Sequence, residues 1–545
     1  MEDKVSYTSH RLPPRHERTK CDYLFYIPRA TAAFFVRVVA VFNLRFVLFL
    51  GVSQFFLKGI AYYLSRSIML PLFKSVIQAD AMKLQLYVML CMVPWSIKPL
   101  IGVCSDIMRI GGYHKRYWLF GAMALGSICA GFLFLGYANK SGIGLALCLM
   151  GVQFQIALFD LFSESAFSEI VRDHPYTGSD IITLVQGFQQ SGGFIAVLLI
   201  GLLADGGYYK TLFSFVAGVI VTPLVPSLFN WLLEKKHAGT SVFQLVNRAQ
   251  LYRDRWFIGL VAATGLAAPL VALIVNAVDP AVGLAVAILL TMAIVLAAFK
   301  IADPIIARVA LLQVILSVGS PRLGGALDYF YTADETCVPG GPHFSYAYYL
   351  TYAGVAGTLS SIAGVIVYQA VFSRFRFRTV LVITTLMCGF IGMSDLFIVL
   401  RLNVRMGIPD RAAYILGEAV MEPLMEMLQW IPVSALISKV VPKGMESSSF
   451  AFMAGISNFS SMIAELSGAL LFETVGIKTT GVCNFEKLWI LILVCHVLMP
   501  IVTGVPAIWL IPNVYQTEAL TSEPVPTEII QSLTLEESSF DWEEE

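Results

Sequence analysis

Apolar stretches of about twenty residues recur along this chain from residue 46 to residue 511, and each has the length a helix needs to cross the hydrocarbon core of a bilayer. Inside lipid every backbone N–H and C=O must be satisfied within the protein, so segments of this kind have one solution, the α-helix. Fourteen spans are expected, near 46–68, 84–107, 117–137, 143–170, 181–204, 209–233, 257–275, 281–299, 305–330, 346–372, 379–400, 411–438, 447–473 and 487–511. Composition agrees: 57% of the 545 residues are hydrophobic and 14% are charged, where a soluble domain carries about 25% charged residues. The chain reads as an all-α integral membrane protein.

An even count puts both tails on one side of the membrane, and the Lys/Arg excess says which. The tail side holds Arg116, Lys235, Lys236, Arg248, Arg253, Arg255, Arg374, Arg376 and Arg378, whereas loops 276–281 and 331–345 have no Lys or Arg. Both tails are therefore expected in the cytoplasm, although the loop with Arg401, Arg405 and Arg411 runs against the bias. The first thirty residues lack the layout of a cleaved signal, so the first span is expected to serve as the insertion signal. Neither the basic N-terminal tail nor the acidic C-terminal tail is laid out as a nucleic-acid surface. The basic connector after residue 234 reads as a solvated linker, with a short amphipathic helix on anionic lipid as the alternative. Most cysteines lie in apolar segments, but Cys337 and Cys483 fall in two loops expected outside, where a disulfide is permitted. Sequence leaves their pairing open.

The chain also repeats itself. GFQQSGGFIAVLLIGLLAD from Gly187 aligns without gaps on GISNFSSMIAELSGALLFE from Gly455, and GVCSDIMRIGGYHKR from Gly102 has a counterpart in GVIVYQAVFSRFRFR from Gly364. PRLGGALDYFY matches FFLKGIAYYL, with paired aromatics at Tyr62, Tyr63 and Tyr329, Phe330. All three matches run in one order at separations of about 262 to 268 residues, which favours a duplication. The expected organisation is a cytoplasmic tail 1–45, a six-helix bundle 46–233, a connector with two extra transmembrane helices 234–303, a second six-helix bundle 304–512 and an acidic cytoplasmic tail 513–545. Gly187 with Ser191, and Ser457 with Ser461, give faces of small residues where helices can approach.

Gly102 and Asp106, followed by a basic cluster that reaches Arg116, resemble the cytoplasmic loop motif of the major facilitator superfamily. The resemblance implies a gate locked by an ion pair; the alternative is a helix-end charge satisfied by solvent and headgroups. The specific wording goes further. PWSIKPLIGVCSD (94–106), FDLFSESAFSEI (159–170), TGSDIITLVQGFQQSGG (177–193), CVPGGPHFSYAYY (337–349) and VPKGMESSSFAFMAGISNFS (441–460) resemble the folate-biopterin transporter family, in particular its branch in kinetoplastid protozoa. The resemblance runs from about residue 46 to residue 512. It implies a major facilitator fold in the plasma membrane and uptake of folate or an unconjugated pteridine, coupled to protons. S-adenosylmethionine carriers fall in the same branch, so the solute stays open between these.

Charge within a membrane helix costs about 2.5 to 3.5 kcal/mol per residue on insertion scales and so faces a cavity or a counter-charge. Lys58 and Lys98 are the cations expected to meet the carboxylates of an anionic substrate, with Arg322 a third; Lys98 could instead snorkel toward the interface. Asp160 and Glu164 share a helix face, and Glu418, Glu422 and Glu426 keep the same four-residue spacing in the second half. Like charges stacked inside a membrane cannot all ionise, so these five acids are the expected proton-coupling group; the alternative is that they pair with Lys58, Lys98 or Arg322. Among aromatics that could stack on a flat pterin, Tyr62 and Tyr329 stand out because they are related by the repeat. A membrane-embedded enzyme is the remote alternative, but the seven histidines show no HExxH or paired ligand spacing and no nucleotide-binding loop is present. No cofactor or metal is expected. The sequons at Asn139 and Asn458 are expected to be silent.

Overall fold

The computed structural model describes residues 34–36, 38–40, 42–137, 141–173, 178–236, 248–440, 446–480 and 483–516, and the Asn139 sequon lies outside them. Among these residues there is no β-sheet, only three isolated bridges. The helices are α1 (Leu44–Val76), α2 (Ala81–Ile107), α3 (Arg116–Gly136), α4 (Gly142–Asp173), α5 (Gly178–Asp205), α6 (Tyr209–Leu228), α7 (Arg255–Ala277) and α8 (Pro280–Ile301). They continue with α9 (Pro304–Val318), α10 (Gly324–Tyr331), α11 (Ala347–Arg374), α12 (Phe377–Val399), α13 (410–440), α14 (Glu446–Val475) and α15 (Leu488–Leu510).

Eleven of these, α1 to α8 with α11, α12 and α15, are long and apolar enough to cross a membrane. The other three expected spans are helical but depart from that standard. α9 and α10 are two pieces separated at 319–323, where Pro321 has no N–H to give and disfavours helix in the residue before it. α13 carries three glutamates and α14 is rich in serine, so apolarity alone does not number them as spans. α1 is also longer than the expected 46–68, because the helix runs on through Met69–Val76, where Met69, Leu70, Leu72 and Phe73 are buried.

A long seam joins α2 to α14. Pro94 and Pro99 inside α2 deprive the Leu90 and Trp95 carbonyls of their helical donors. Asn458 Nδ2 of α14 donates to the Trp95 carbonyl at 3.1 Å, so the amide of this sequon is engaged inside a helix seam. One step along, a Cβ on Gly455 would fall 2.1 Å from Pro99 Cγ, so the two helices touch there with almost no side chain between them. The α7–α8 hairpin leans on this seam, with the Phe257 and Phe452 rings 6.2 Å apart.

The break between α9 and α10 is stitched to α2. Gln85 Nε2 donates to the carbonyls of Arg322 (2.8 Å) and Glu465 (2.6 Å), and Gln85 Oε1 accepts from the Gly325 N–H (3.1 Å). The Arg322 N–H donates to the Ala464 carbonyl. Buried main-chain groups released by the break are thus paired within the protein, as the interior of a membrane requires.

On the other side α5 packs on α1 and on the start of α11. The Asp205 carboxylate closes α5 by accepting the N–H groups of Tyr346 and Ala347 at 2.7 and 2.8 Å. Cys337 and Cys483 are disulfide-bonded, joining the loop after α10 to the loop before α15. Gly187 has nothing within 4 Å of its Cβ direction; the close approach expected there is made instead by Gly192, whose Cβ would fall 2.2 Å from the Phe55 carbonyl and 2.8 Å from Gly59 Cα. Gly192→Val is therefore expected to lower stability by at least about 1–3 kcal/mol and to cut the yield of folded protein in detergent, with Gly187→Val near wild type. Equal thermal stability for the two variants would show that this crossing is not tight.

Candidate functional site

Residues Gly51–Ala61 of α1 wind as a π-helix, so that the Tyr62 N–H reaches back five residues to the Leu57 carbonyl. Such turns crowd an extra residue onto one face and recur at functional sites. Here the face turned toward α4 carries Ser53, Gln54 and Lys58. Lys58 Nζ lies 2.7 Å from Asp160 Oδ1 and 3.5 Å from Glu164 Oε1. From α2, Lys98 Nζ lies 2.5 Å from Asp160 Oδ2 and 3.9 Å from Glu164 Oε2. Gln54 Nε2 donates to Asp160 Oδ1 at 3.3 Å and to Ser163 Oγ at 2.7 Å.

Asp160 thus holds two lysines at once, one on each oxygen, and is 1% exposed; Glu164, one turn along, is 43% exposed. The four charges cancel. The sequence expected Lys58 and Lys98 as substrate cations and the two acids as proton carriers, with pairing between them as the alternative; the structure brings all four into one cluster, in which Asp160 meets the lysines closely and Glu164 meets them at longer distance. Lys98 is buried in that cluster and does not snorkel.

An aromatic wall adjoins it. Lys98 Nζ sits 4.3 Å from the centre of the Trp95 ring, a cation–π contact. The Tyr62 and Trp95 rings stand edge to face with centres 5.0 Å apart. Trp95 Nε1 donates to Gln153 Oε1, whose amide in turn donates to Ser65 Oγ, so the indole cannot rotate without breaking a buried chain.

Across from this wall, Arg322 Nη1 lies 3.3 Å from Glu465 Oε1 and Nη2 lies 3.5 Å from Ser461 Oγ. Arg322 is 53% exposed, and Glu422 and Glu426 are exposed as well. Tyr62 lies within electrostatic reach of Glu426, Lys58, Arg322 and Arg66. Tyr62 thus stands between the lysine–acid cluster and the charges of the α9–α10 break and α13. Glu418 stands apart, on the π-helical turn Ile415–Ala419 of α13.

Other expected residues lie elsewhere. Tyr329 is buried near the far end of α1, its hydroxyl donating to the Ala79 carbonyl and Lys74 Nζ standing 4.7 Å over its ring; it is not near Tyr62. Gly102 faces Ala451 in the α2–α14 seam. Arg116 donates to the Leu228 carbonyl and covers the Tyr113 ring. The loop before α3 is organised by Glu234, whose carboxylate accepts the N–H groups of His114, Lys115 and Arg116 at 2.5, 3.0 and 3.1 Å, a carboxylate on a helix N-terminus. Glu234, Gln85, Gln153 and Glu465 were missed from sequence, although the last three carried the signal of a polar residue within an apolar run. No group of three or more His, Cys, Asp or Glu placed to hold a metal ion occurs among the described residues.

This arrangement, a helical membrane bundle with paired charges buried between its helices, has the major facilitator fold. Solved POT transporters superpose on it: a POT peptide transporter in complex with sulfate gives a TM-score of 0.58 at 13% identity over 85% of this chain and 93% of its own. The POT family transporter PepTSo gives 0.59 at 14% identity over 85% and 97%. A profile of the BT1 family matches residues 58–526, and the chain belongs to that family. Relatives include "Probable folate-biopterin transporter 6" of Arabidopsis thaliana, 25% identical over 84% of this chain and 80% of its own. Folate transporter 2 of Plasmodium falciparum is 24% identical over 83% and 85%. The folate-biopterin transporter of Synechocystis is 22% identical over 74% and 69%. These relatives and structural neighbours are transporters, not enzymes.

Removing one member of a buried ion cluster leaves an uncompensated charge. Lys98→Met is expected to lower stability by about 3–5 kcal/mol, read as a lower midpoint of thermal unfolding in detergent. Adding Asp160→Asn recovers most of the loss, because Lys58 keeps Glu164. A single variant as stable as wild type would mean that the second lysine on Asp160 is dispensable.

Proposed function

We propose that this protein imports folate or a biopterin-type pteridine across the plasma membrane by proton symport, with both tails cytoplasmic. Its bundles 46–233 and 304–512 alternate access to the central space about the connector 234–303, and Asp106 and Arg116 close the cytoplasmic side. The names of the relatives support the solute class. The observation that carries the mechanism is the unequal holding of the two acids: Asp160 is gripped at 2.7 and 2.5 Å, whereas Glu164 is 3.5 and 3.9 Å from the same lysines and open to solvent.

A carboxylate of the substrate entering the space competes with Glu164, not with Asp160, for Lys58 and Lys98. Charge-assisted hydrogen bonds are strongest where water is excluded, so the substrate is held once Glu164 yields. Glu164, left without its cations, takes up a proton, and the loaded site stays neutral. Glu418, Glu422 and Glu426 hold further protons in the second bundle. Arg322 is placed to meet a second carboxylate, and the Tyr62–Trp95 pair offers faces for a flat ring. A sulfonium substrate such as S-adenosylmethionine fits less well, since the buried acid is already occupied by two lysines.

Uptake of labelled folate, biopterin and S-adenosylmethionine, in cells expressing the chain and in empty controls, tests the proposal. Saturable folate or biopterin entry that rises as external pH falls and collapses with a protonophore is expected. Entry of S-adenosylmethionine alone would overturn the solute assignment, and a flat pH profile would overturn symport. Lys58→Ala is expected to reduce folate or biopterin uptake by at least about tenfold, the equivalent of one charged hydrogen bond, at equal surface expression; unchanged kinetics would remove Lys58 from the site.

A further inference from the structure

Asp395 is fully buried near the C-terminal end of α12. Groups from three elements close on it. Tyr331 of α10 donates its hydroxyl to Oδ1 at 2.6 Å. His496 of α15 places Nδ1 3.1 Å from Oδ2. Glu418 of α13 lies within electrostatic reach of both Asp395 and Glu422.

The approach of α15 depends on Gly392, where a Cβ would lie 2.3 Å from the His496 carbonyl. It depends also on the π-helical winding of Leu493–Leu498, which carries the imidazole. Around the group stand Tyr414 of α13, its ring centre 4.9 Å from that of Tyr331, and Tyr349 of α11, whose hydroxyl donates to Asp328 of α10. Arg401 and Asp410, at the end of α12 and the start of α13, pair with each other. Among the described residues no Lys or Arg forms an ion pair with Asp395, Glu418 or Glu422.

The chemistry of this contact is constrained. An ionised carboxylate only accepts hydrogen bonds and, buried, needs a counter-charge. Asp395 accepts from Tyr331 on one oxygen and faces His496 with the other. His496 is part exposed, so it is the member that can take a proton from water and stand as imidazolium against the aspartate, with the second acid, Glu418 of α13, close by. A pair that merely fastened α15 to α12 would need no second acid.

We propose that Asp395, His496 and Tyr331 complete, with Glu418, a buried proton-binding site beside the transport path, in which His496 is the exchangeable seat. Asp395 and Tyr331 are positioning residues. This rests on the symport reading above.

Purified full-length protein in liposomes tests it with radiolabelled folic acid and biopterin as probes. Two measurements are made on each variant: exchange of labelled for unlabelled probe at equal pH on both sides, and net accumulation driven by a one-unit inward pH gradient. For one proton per substrate that gradient sustains about tenfold accumulation, which is expected of wild type. Asp395→Asn and His496→Gln are expected to retain exchange at a lower rate and to accumulate no probe above the outside concentration. Tyr331→Phe is expected to displace the pH profile of accumulation. If Asp395→Asn and His496→Gln accumulate probe like wild type, this inference falls while symport stands. If wild type exchanges but does not accumulate, both fall. Should Asp395→Asn fail to insert, His496→Gln and Tyr331→Phe decide: pH profiles unchanged in both overturn the site.

Discussion

Two lysines on one aspartate hold the centre of this protein. Lys58, Lys98 and Asp160 come from α1, α2 and α4, and their contacts at 2.7 and 2.5 Å fix the rotation of all three helices about their axes. Ions taken from water are tolerated inside a bundle only with close counter-charges and satisfied hydrogen bonds. Gln54 supplies a hydrogen bond to Asp160 and is itself held by Ser163. The surplus positive charge of two lysines against one acid is what draws Glu164 into the group while leaving it at the edge. An arrangement that needs its fourth member for neutrality, yet holds it loosely, can exchange that member for another anion.

The same geometry explains why so many helices here leave the α-helical path. π-helical turns carry Gln54 and Lys58 in α1, Lys74 further along it, Glu418 in α13 and His496 in α15. Each turn departs from regular i to i−4 bonding in a chain that otherwise has to keep its backbone satisfied. In each case a polar side chain is brought toward another helix. Lys74 Nζ, for example, donates to Thr332 Oγ1 beside α10.

Much of this was legible in the sequence. Apolar length located the helices, and the expense of charge in lipid singled out Lys58, Lys98, Asp160 and Glu164 as residues that must find something. Sequence offered their pairing only as the alternative to open substrate and proton sites and could not choose between the two, because helix spacing orders residues along one helix and is silent on which neighbour faces it. Asp395 shows the opposite failure. A lone acid in an apolar span was signal enough, but without the four-residue pattern of the α13 ladder it did not draw notice. Tyr329 was misplaced for a related reason: the repeat aligned it with Tyr62, yet α10 is a short piece after a break, and its tyrosine lies beside Lys74 at the far end of α1.

The amide of Gln85 has a mechanical meaning. It serves two carbonyls and one N–H that belong to the α9–α10 break and to α14, while its own backbone belongs to α2. Gln85 belongs to the first proposed bundle and its three partners to the second, so for the bundles to swing apart here those main-chain groups have to part from the amide, at roughly 1–3 kcal/mol for each group left unmade. The stitch is thus a latch across the two halves: it weights the protein toward a closed seam, and α2 swings from α14 only once that amide is given up.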